Sequence, residues 1–409
     1  MLDSRILRVK KTLRMIARFV AFIGIALGLL AAIHYYLWLR LARDPHWPAP
    51  WGTVLGWLLV VAAIGMPAAA ILSRGKASSL AGRIAIWSAY TWLGVMFLLF
   101  TAALASDFAR LIVAIARRIS SAPAVDADRR TFVARIAATT IAAVVAGASA
   151  LAVRSALGPV EIRRVRVRLA RLPRAQHGLT IAQITDLHVG PTIGRAVVED
   201  VVRRTNALAA DIIAITGDLV DGSVSALREA VAPLATLRAR YGVFFVTGNH
   251  EYFSGADAWV NELGRLGIRV LANERVSIGD DGDSSFDLGG IEDRSAHNYG
   301  GLSPTVALTR ALEGRDPERE LVLLAHQPRS MLDAAPFGVG LQISGHTHGG
   351  QIWPFGFLVR LQQRFWPGLH RHGDAQIYVS RGTGYWGPPM RLAEPAEITH
   401  LTLESARIE

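Results

Sequence analysis

The sequence predicts a two-part α/β protein: about four membrane-spanning helices over residues 1–155, then an α/β unit of two stacked sheets covered by helices. Three observations carry this. Stretches 19–39, 51–73 and 84–106 lack formal charge. From Leu179 onward, short apolar runs alternate with helix-like segments. Five of those runs stop at polar clusters, in the order Asp186-Leu187-His188, Gly217-Asp218, Gly248-Asn249-His250-Glu251, His326 and Gly345-His346-Thr347-His348.

Each uncharged stretch reaches the ~20 residues a helix needs to cross a ~30 Å hydrocarbon core. Tyr35, Tyr36 and Trp38 end the first, Trp51 opens the second, and Trp87, Tyr90 and Trp92 sit early in the third. Such amphipathic rings belong at headgroup depth. Buried helices of a soluble domain are a poor alternative, because the three follow one another across short basic connections. A fourth segment, 136–153, is shorter and richer in Ala and Gly. It follows Asp128-Arg129-Arg130-Thr131-Phe132-Val133, which resembles a twin-arginine export signal and reads equally as a helix anchored by its arginines.

Orientation is contested. Arg5, Arg8, Lys10, Lys11, Arg14 and Arg18 favour a cytoplasmic N-terminus, and four crossings then return the C-terminal half to the cytoplasm. Arg110, Arg117, Arg118, Arg129, Arg130 and Arg135 favour the opposite orientation, which exports that half. A segment 107–119 lying along the interface is a further alternative. The expectation adopted is a multi-pass cell-membrane protein whose C-terminal half is extracytoplasmic.

Charge is divided unevenly. Residues 1–174 hold 24 Lys+Arg against 6 Asp+Glu, whereas the remainder holds 20 against 27 and no lysine. The basic pI therefore belongs to the membrane half, and a nucleic-acid-binding surface is not indicated on the other. Zero cysteine excludes disulfides, thiol nucleophiles and thiolate metal sites.

Residues 156–177 form the junction, where 160–174 alternate apolar and basic positions, as an edge strand with one solvated face does. The unit 178–409 then alternates. Strands are expected at 179–185, 211–216, 242–247, 268–278, 286–291, 321–325 and 341–344, with a β-rich tail at 377–380 and 398–403. Helices are expected at 195–208, 224–240 and 256–266. Polar clusters ending neighbouring strands converge at one sheet edge, where open α/β sheets place their sites. Carboxylate, imidazole and amide groups converging there make a binuclear metal site.

These clusters, in this order, resemble the calcineurin-like metallophosphoesterases over residues 178–404. The Gly-His-Thr-His-Gly-Gly-Gln form and the tail from Tyr378 to Gly384 are similar to the membrane-anchored bacterial subgroup with the YkuE and YaeI proteins. The resemblance implies a four-layer α/β/β/α metallophosphoesterase domain. It implies Asp186, His188 and His348 on one metal, Asn249, His326 and His346 on the second, and Asp218 bridging them. Two divalent transition-metal ions (Mn, Fe, Zn or Co) suit that oxygen and imidazole shell. A metal-bridged hydroxide would attack phosphorus in line, with His250 protonating the leaving alkoxide; Glu251 orients the loop. The implied function is membrane-anchored phosphoester hydrolysis. The alternatives are hydrolysis of a lipid-linked pyrophosphate of the UDP-2,3-diacylglucosamine type and, remotely, a non-catalytic membrane sensor or scaffold, which predicts missing ligands where none is missing.

The remaining polar residues are weaker candidates. Arg381 and Arg391 flank a Gly/Pro/aromatic loop and suit either phosphate contact or a surface role. Asp293 and His297 follow a strand without a demanding spacing. His34, His46, His177, His370, His372 and His400 read as interfacial or surface residues. Asp221-Gly222 stands where many family phosphatases have Asp-Arg-Gly, so protein phosphatase activity of that type is not expected.

Overall fold

The computed structural model describes residues 2–74, 79–121, 123, 125–280 and 284–408. The side chains of Arg5, Arg8, Lys10, Lys11, Arg14 and Arg18, on which part of the orientation argument rests, lie outside the described residues, as does the connection 75–78. Two compact units divide the chain, Met1–Ser149 and Ala150–Glu409.

In the first unit, α1 (Leu2–Leu37) continues into a π-helical turn at Trp38–Arg43, followed by α2 (Trp51–Arg74), α3 (Leu80–Ile119) and α4 (Ala127–Leu157), whose residues from Ala150 on belong to the second unit. These four helices are long and apolar enough to cross a membrane. At 1.5 Å per residue, the 40-residue α3 is about 60 Å long. Residues 107–119 therefore continue that helix and do not form a separate interfacial one, because no Gly or Pro after Gly94 interrupts the backbone ladder. Asp107, the one carboxylate in α3, accepts hydrogen bonds from Tyr36 Oη at 2.7 Å and Arg40 Nε at 2.9 Å. His34, read as interfacial or surface, is buried and so does not lie on the surface. Its Nδ1 lies 2.8 Å from the Leu30 carbonyl, and Trp92 Nε1 donates to its Nε2 at 3.0 Å.

After the end of α4, the second unit has β1 (Glu161–Leu169) and β2 (Thr180–Ile184), then alternates α5 (Arg195–Asn206), β3 (Ile212–Thr216), α6 (Val224–Val231) and β4 (Val243–Val246). Two helices, α7 (Asn249–Ser254) and α8 (Ala256–Arg265), lead to three strands: β5 (Arg269–Val270), β6 (Glu274–Ile278) and β7 (Phe286–Gly290). After them come α9 (Pro304–Leu312), β8 (Leu321–Leu324), α10 (Met331–Ala334), β9 (Leu341–Ser344) and α11 (Gly356–Gln362). The strands β10 (Gly368–His372), β11 (Ala375–Val379) and β12 (Glu397–Ser405) close the unit.

Two six-stranded sheets result, ordered β1-β12-β2-β3-β4-β5 and β10-β11-β9-β8-β7-β6. Strand periodicity explains how they stack. In β2 and β3, Ile181, Ile212 and Ala214 point inward and meet Leu288, Val322, Leu324 and Ile343 of the second sheet. Their neighbours Ala182, Ile184, Ile213 and Ile215 point the other way, onto Val198, Val201, Trp259 and Leu263 of the helices. On the far face of the second sheet, Leu321, Leu323 and Ile377 pack against Leu308, Ala311 and Met331. Helices, sheet, sheet and helices form four layers.

Two expected elements differ. The run 268–278 splits into β5 and β6, which belong to different sheets. The break falls at Asn273, at φ +60°, whose side chain donates to Glu292 Oε2 at 2.6 Å and accepts from Glu292 N at 3.0 Å. The helix expected at 224–240 ends at Val231 and passes into a 3₁₀ turn at Ala232–Thr236, because Pro233 has no N–H to continue the ladder.

Candidate metal centre

The strands β2, β3 and β4 run parallel in one sheet, and β8 and β9 run parallel in the other. Every candidate ligand lies just past the carboxyl end of one of them. Asp186 follows β2, Asp218 follows β3, Asn249 follows β4, His326 follows β8, and His346 and His348 follow β9.

The backbone there is held in an unfavourable region. Asp186, His188, Asp218, His346 and His348 all have positive φ, between +49° and +73°. Left-handed backbone at a non-glycine residue persists only where its surroundings enforce it, and such residues gather at functional sites. Glycine supplies the room. Gly217 has φ +83°, and a Cβ on it would come 2.5 Å from Gly248 N, while a Cβ on Gly248 would collide with the Asp218 carboxylate.

Among the described residues, three groups of donor atoms result, each within 4.8 Å: Asp186, His188 and His348; Asp218, His326 and His346; and His188, Asp221 and His250. The first joins the three residues expected on one ion, and the second joins Asp218, expected to bridge, to His326 and His346. His188 Nε2 and His348 Nε2 lie 3.0 Å apart, and His326 Nε2 is 3.2 Å from His346 Nδ1 and 3.1 Å from Asp218 Oδ2. Asn249 Oδ1 is buried with no hydrogen-bond partner. A buried amide oxygen without a donor costs about 1–3 kcal/mol. That orphan sits one residue before His250, whose backbone N–H donates to the Asp218 carboxylate at 2.9 Å, and a divalent cation would satisfy it.

The charges are strongly perturbed. Burial opposes ionisation of Asp218, but His326, His188 and His250 outweigh it and hold the carboxyl well below its usual range. Burial dominates at Asp186 and pushes it up. His348 is driven well below the usual imidazole range by burial and by His188 and Arg391, and His346 falls to about 3 through burial and His326.

Glu251 anchors the loops. Its buried carboxylate accepts from the backbone N–H groups of Gly248, Asp218 and Leu219 at 2.6–3.0 Å, with a longer contact from Val220 N at 3.3 Å. Burial and the neighbouring Asp218 push its pKa up to about 7. It touches no open space and is a positioning residue.

Asp221 is the residue that sequence reasoning missed. One carboxylate oxygen, Oδ1, sits 2.5 Å from His250 Nδ1 and 3.2 Å from His188 Nδ1. Its signal was the second aspartate of Gly217-Asp218-Leu219-Val220-Asp221, three residues past the first. The His250 ring lies edge-on to Phe253 and Trp386, with centroids at 5.3 and 5.7 Å.

Other candidates resolve differently. Arg391 is fully buried, its guanidinium donating to the carbonyls of Gly384, Glu394 and Arg381 and lying 3.2 Å from His348 Nδ1. Arg381 is paired with Glu394 and Glu397. Neither is a free phosphate clamp or a surface arginine; both pin the 381–394 loop. Asp293 caps a 3₁₀ turn through Ser295 N, and His297 is exposed. His400 is buried beside Arg164, not on the surface, because β12 lies inside its sheet.

Residues 179–350 match the calcineurin-like phosphoesterase family. A transmembrane protein with metallophosphoesterase domain from Bos taurus is 41% identical over 268 residues, covering 63% of this chain and 60% of that protein. An uncharacterized metallophosphoesterase from Aquifex aeolicus is 32% identical over 247 residues, covering 60% of this chain and 92% of its own length. The uncharacterized metallophosphoesterase YkuE of Bacillus subtilis is 28% identical over 255 residues, 60% of this chain and 86% of that one. The chain spans about three fifths of the length of the first curated relatives it matches. Vertebrate and bacterial proteins both appear, so the similarity is not confined to the bacterial subgroup.

Proposed function

The chain belongs to the calcineurin-like metallophosphoesterase family, and from that premise we propose that it is a membrane-anchored, dinuclear metal-dependent phosphoester hydrolase. The observation that carries the reading is the pair of His/carboxylate groups side by side, Asp186/His188/His348 and Asp218/His326/His346, with the Asn249 oxygen buried and unpartnered just past the end of β4. In this reading Asp186, His188 and His348 hold one ion, Asn249, His326 and His346 hold the second, and Asp218 bridges. When bound, the ions supply Lewis-acid polarisation of the phosphoryl group and an activated water.

The chain's own residues do the rest. His250 Nδ1–H donates to Asp221, which leaves Nε2, 3.9 Å from Asp218 Oδ2, as the nitrogen through which the imidazolium form can give up a proton. From there His250 protonates the departing alkoxide. Burial opposes ionisation of Asp221, but hydrogen bonds from His188 and His250 hold its carboxyl well below the usual range. It stays ionised at neutral pH, stabilises the imidazolium and fixes the tautomer. Glu251 holds the turns that carry Asp218 and Asn249. Arg391 supports the ring of His348.

The test is metal content and turnover of the purified full chain. It is expected to bind about two transition-metal ions and to cleave bis-p-nitrophenyl phosphate. An Asp218→Ala variant that kept both the ions and the activity would overturn the reading.

A further inference from the structure

The rim of the site exposes an apolar surface that the hydrolase reading does not use. Residues Trp353, Phe355, Phe357, Leu358, Leu361 and Trp366 are all exposed large hydrophobics within fourteen residues, beginning five past His348. Leu361 is 83% exposed, Phe357 58% and Trp353 57%. On α11, Phe357, Leu358 and Leu361 share one face. Buried Ile352 and Phe365 pin the segment at both ends, so its exposure is not that of an unattached loop.

Hydrogen bonds tie the start of this segment to the loop that carries Trp386 beside His250. Gln351 donates to the carbonyls of Trp386 and Pro388 at 3.1 Å and accepts from Trp386 N at 2.8 Å. Trp386 and Phe253, both exposed, flank the His250 ring. An apolar patch rimmed by polar residues marks an interaction surface.

Charge selects the occupant. Arg360, Arg364 and Arg371 are exposed, and no Asp or Glu occurs from 346 to 373. Arg360 lies over the rings of Phe357 and Trp366, at 5.9 and 5.8 Å. Aromatic and aliphatic side chains interspersed with arginine match the boundary between acyl chains and phosphate headgroups. Against a second copy of itself, the same face would oppose like charges.

We propose that residues 353–366, with Trp386 and Phe253, form a lipid-docking lip through which the site takes phosphoesters carried on lipids in a bilayer. The substrate half of this proposal rests on the hydrolase reading above; the docking half does not.

The chain has no cysteine, so Leu361→Cys and Glu229→Cys each create one labelling site in the full chain. Glu229 is a control, its side chain 89% exposed on α6. With a nitrobenzoxadiazole label, in phosphatidylcholine/phosphatidylglycerol vesicles, position 361 is expected to be quenched by doxyl lipids and shielded from aqueous iodide. Position 229 is expected to behave oppositely. Iodide access at 361 equal to that at 229, or shielding from both quenchers as under a second copy, overturns docking. In the same vesicles, Leu361→Glu is expected to lose about tenfold of its turnover on a phosphatidyl p-nitrophenyl ester, with bis-p-nitrophenyl phosphate turnover unchanged. Equal effects on the two esters overturn the lipid substrate. Absence of turnover on either ester by the unsubstituted chain, with a lipid-quenched label, overturns the hydrolase reading and the lipid substrate and supports docking alone.

Discussion

Asp221 Oδ1 meets His250 Nδ1 at 2.5 Å, and the same oxygen meets His188 Nδ1 at 3.2 Å. One carboxylate thus faces the Nδ1 of two imidazoles, one proposed as a metal ligand and the other as the general acid. Both rings are left with Nε2 facing Asp218, each 3.9 Å from its Oδ2. Asp221→Asn keeps the shape and removes the charge. It is expected to weaken metal affinity and to lower turnover by about 10–100-fold, as loss of a carboxylate behind a ligand or acid histidine does. In a His250→Ala background the same change should cost less turnover. Full additivity of the two substitutions would remove the coupling.

His250→Ala is expected to keep both metals. Its rate loss should fall on substrates with poor leaving groups, where general acid catalysis contributes about 10²–10⁴-fold. A p-nitrophenyl leaving group needs no proton and should show little change. Equal losses on alkyl and p-nitrophenyl esters would take the acid role from this residue.

Chelation should abolish activity, and Mn, Fe, Zn or Co should restore it to different extents. Asn249→Ala removes a neutral oxygen and leaves every imidazole in place. The expected result is one tightly held ion per chain and a second bound weakly, read by metal analysis after dialysis. Two tightly held ions in that variant would show that Asn249 is not a ligand.

Glu251→Ala leaves without an acceptor the backbone N–H groups its carboxylate now satisfies. At about 1–3 kcal/mol for each buried group left unsatisfied, the stability loss should reach about 3 kcal/mol or more. Glu251→Gln retains one acceptor oxygen and should lose less. A thermal midpoint unchanged in Glu251→Ala would contradict the anchoring role.

The catalytic unit is expected outside the cytoplasm. Alkaline phosphatase fused after Glu409 should then be active, and green fluorescent protein at the same point should not fluoresce. The reverse pattern rejects the outward orientation. If Arg129→Lys with Arg130→Lys leaves an outward domain in place, the twin-arginine route alone is rejected.

What the sequence determined by itself is the local grammar. Strands Ile212–Thr216 and Leu341–Ser344 were legible because a short apolar run bounded by turn residues has few other ways to fold. The order of the clusters carried the family, and the uncharged stretches carried helices long and apolar enough to cross a membrane, since hydrocarbon thickness fixes the length required. Tertiary structure decided whatever depends on partners distant in the chain. Asp221 looked like an ordinary turn residue until the turns after β3 and β4 brought it to His250, 29 residues on. Arg391 suited either phosphate contact or a surface role until the loop folded its guanidinium onto three carbonyls. The run 268–278 looked like one strand, but the two sheets divided it at Asn273, where a buried side chain pairs with Glu292. Hydrophobic period fixes which face of a strand is buried; what that face meets is set by packing between segments far apart in sequence.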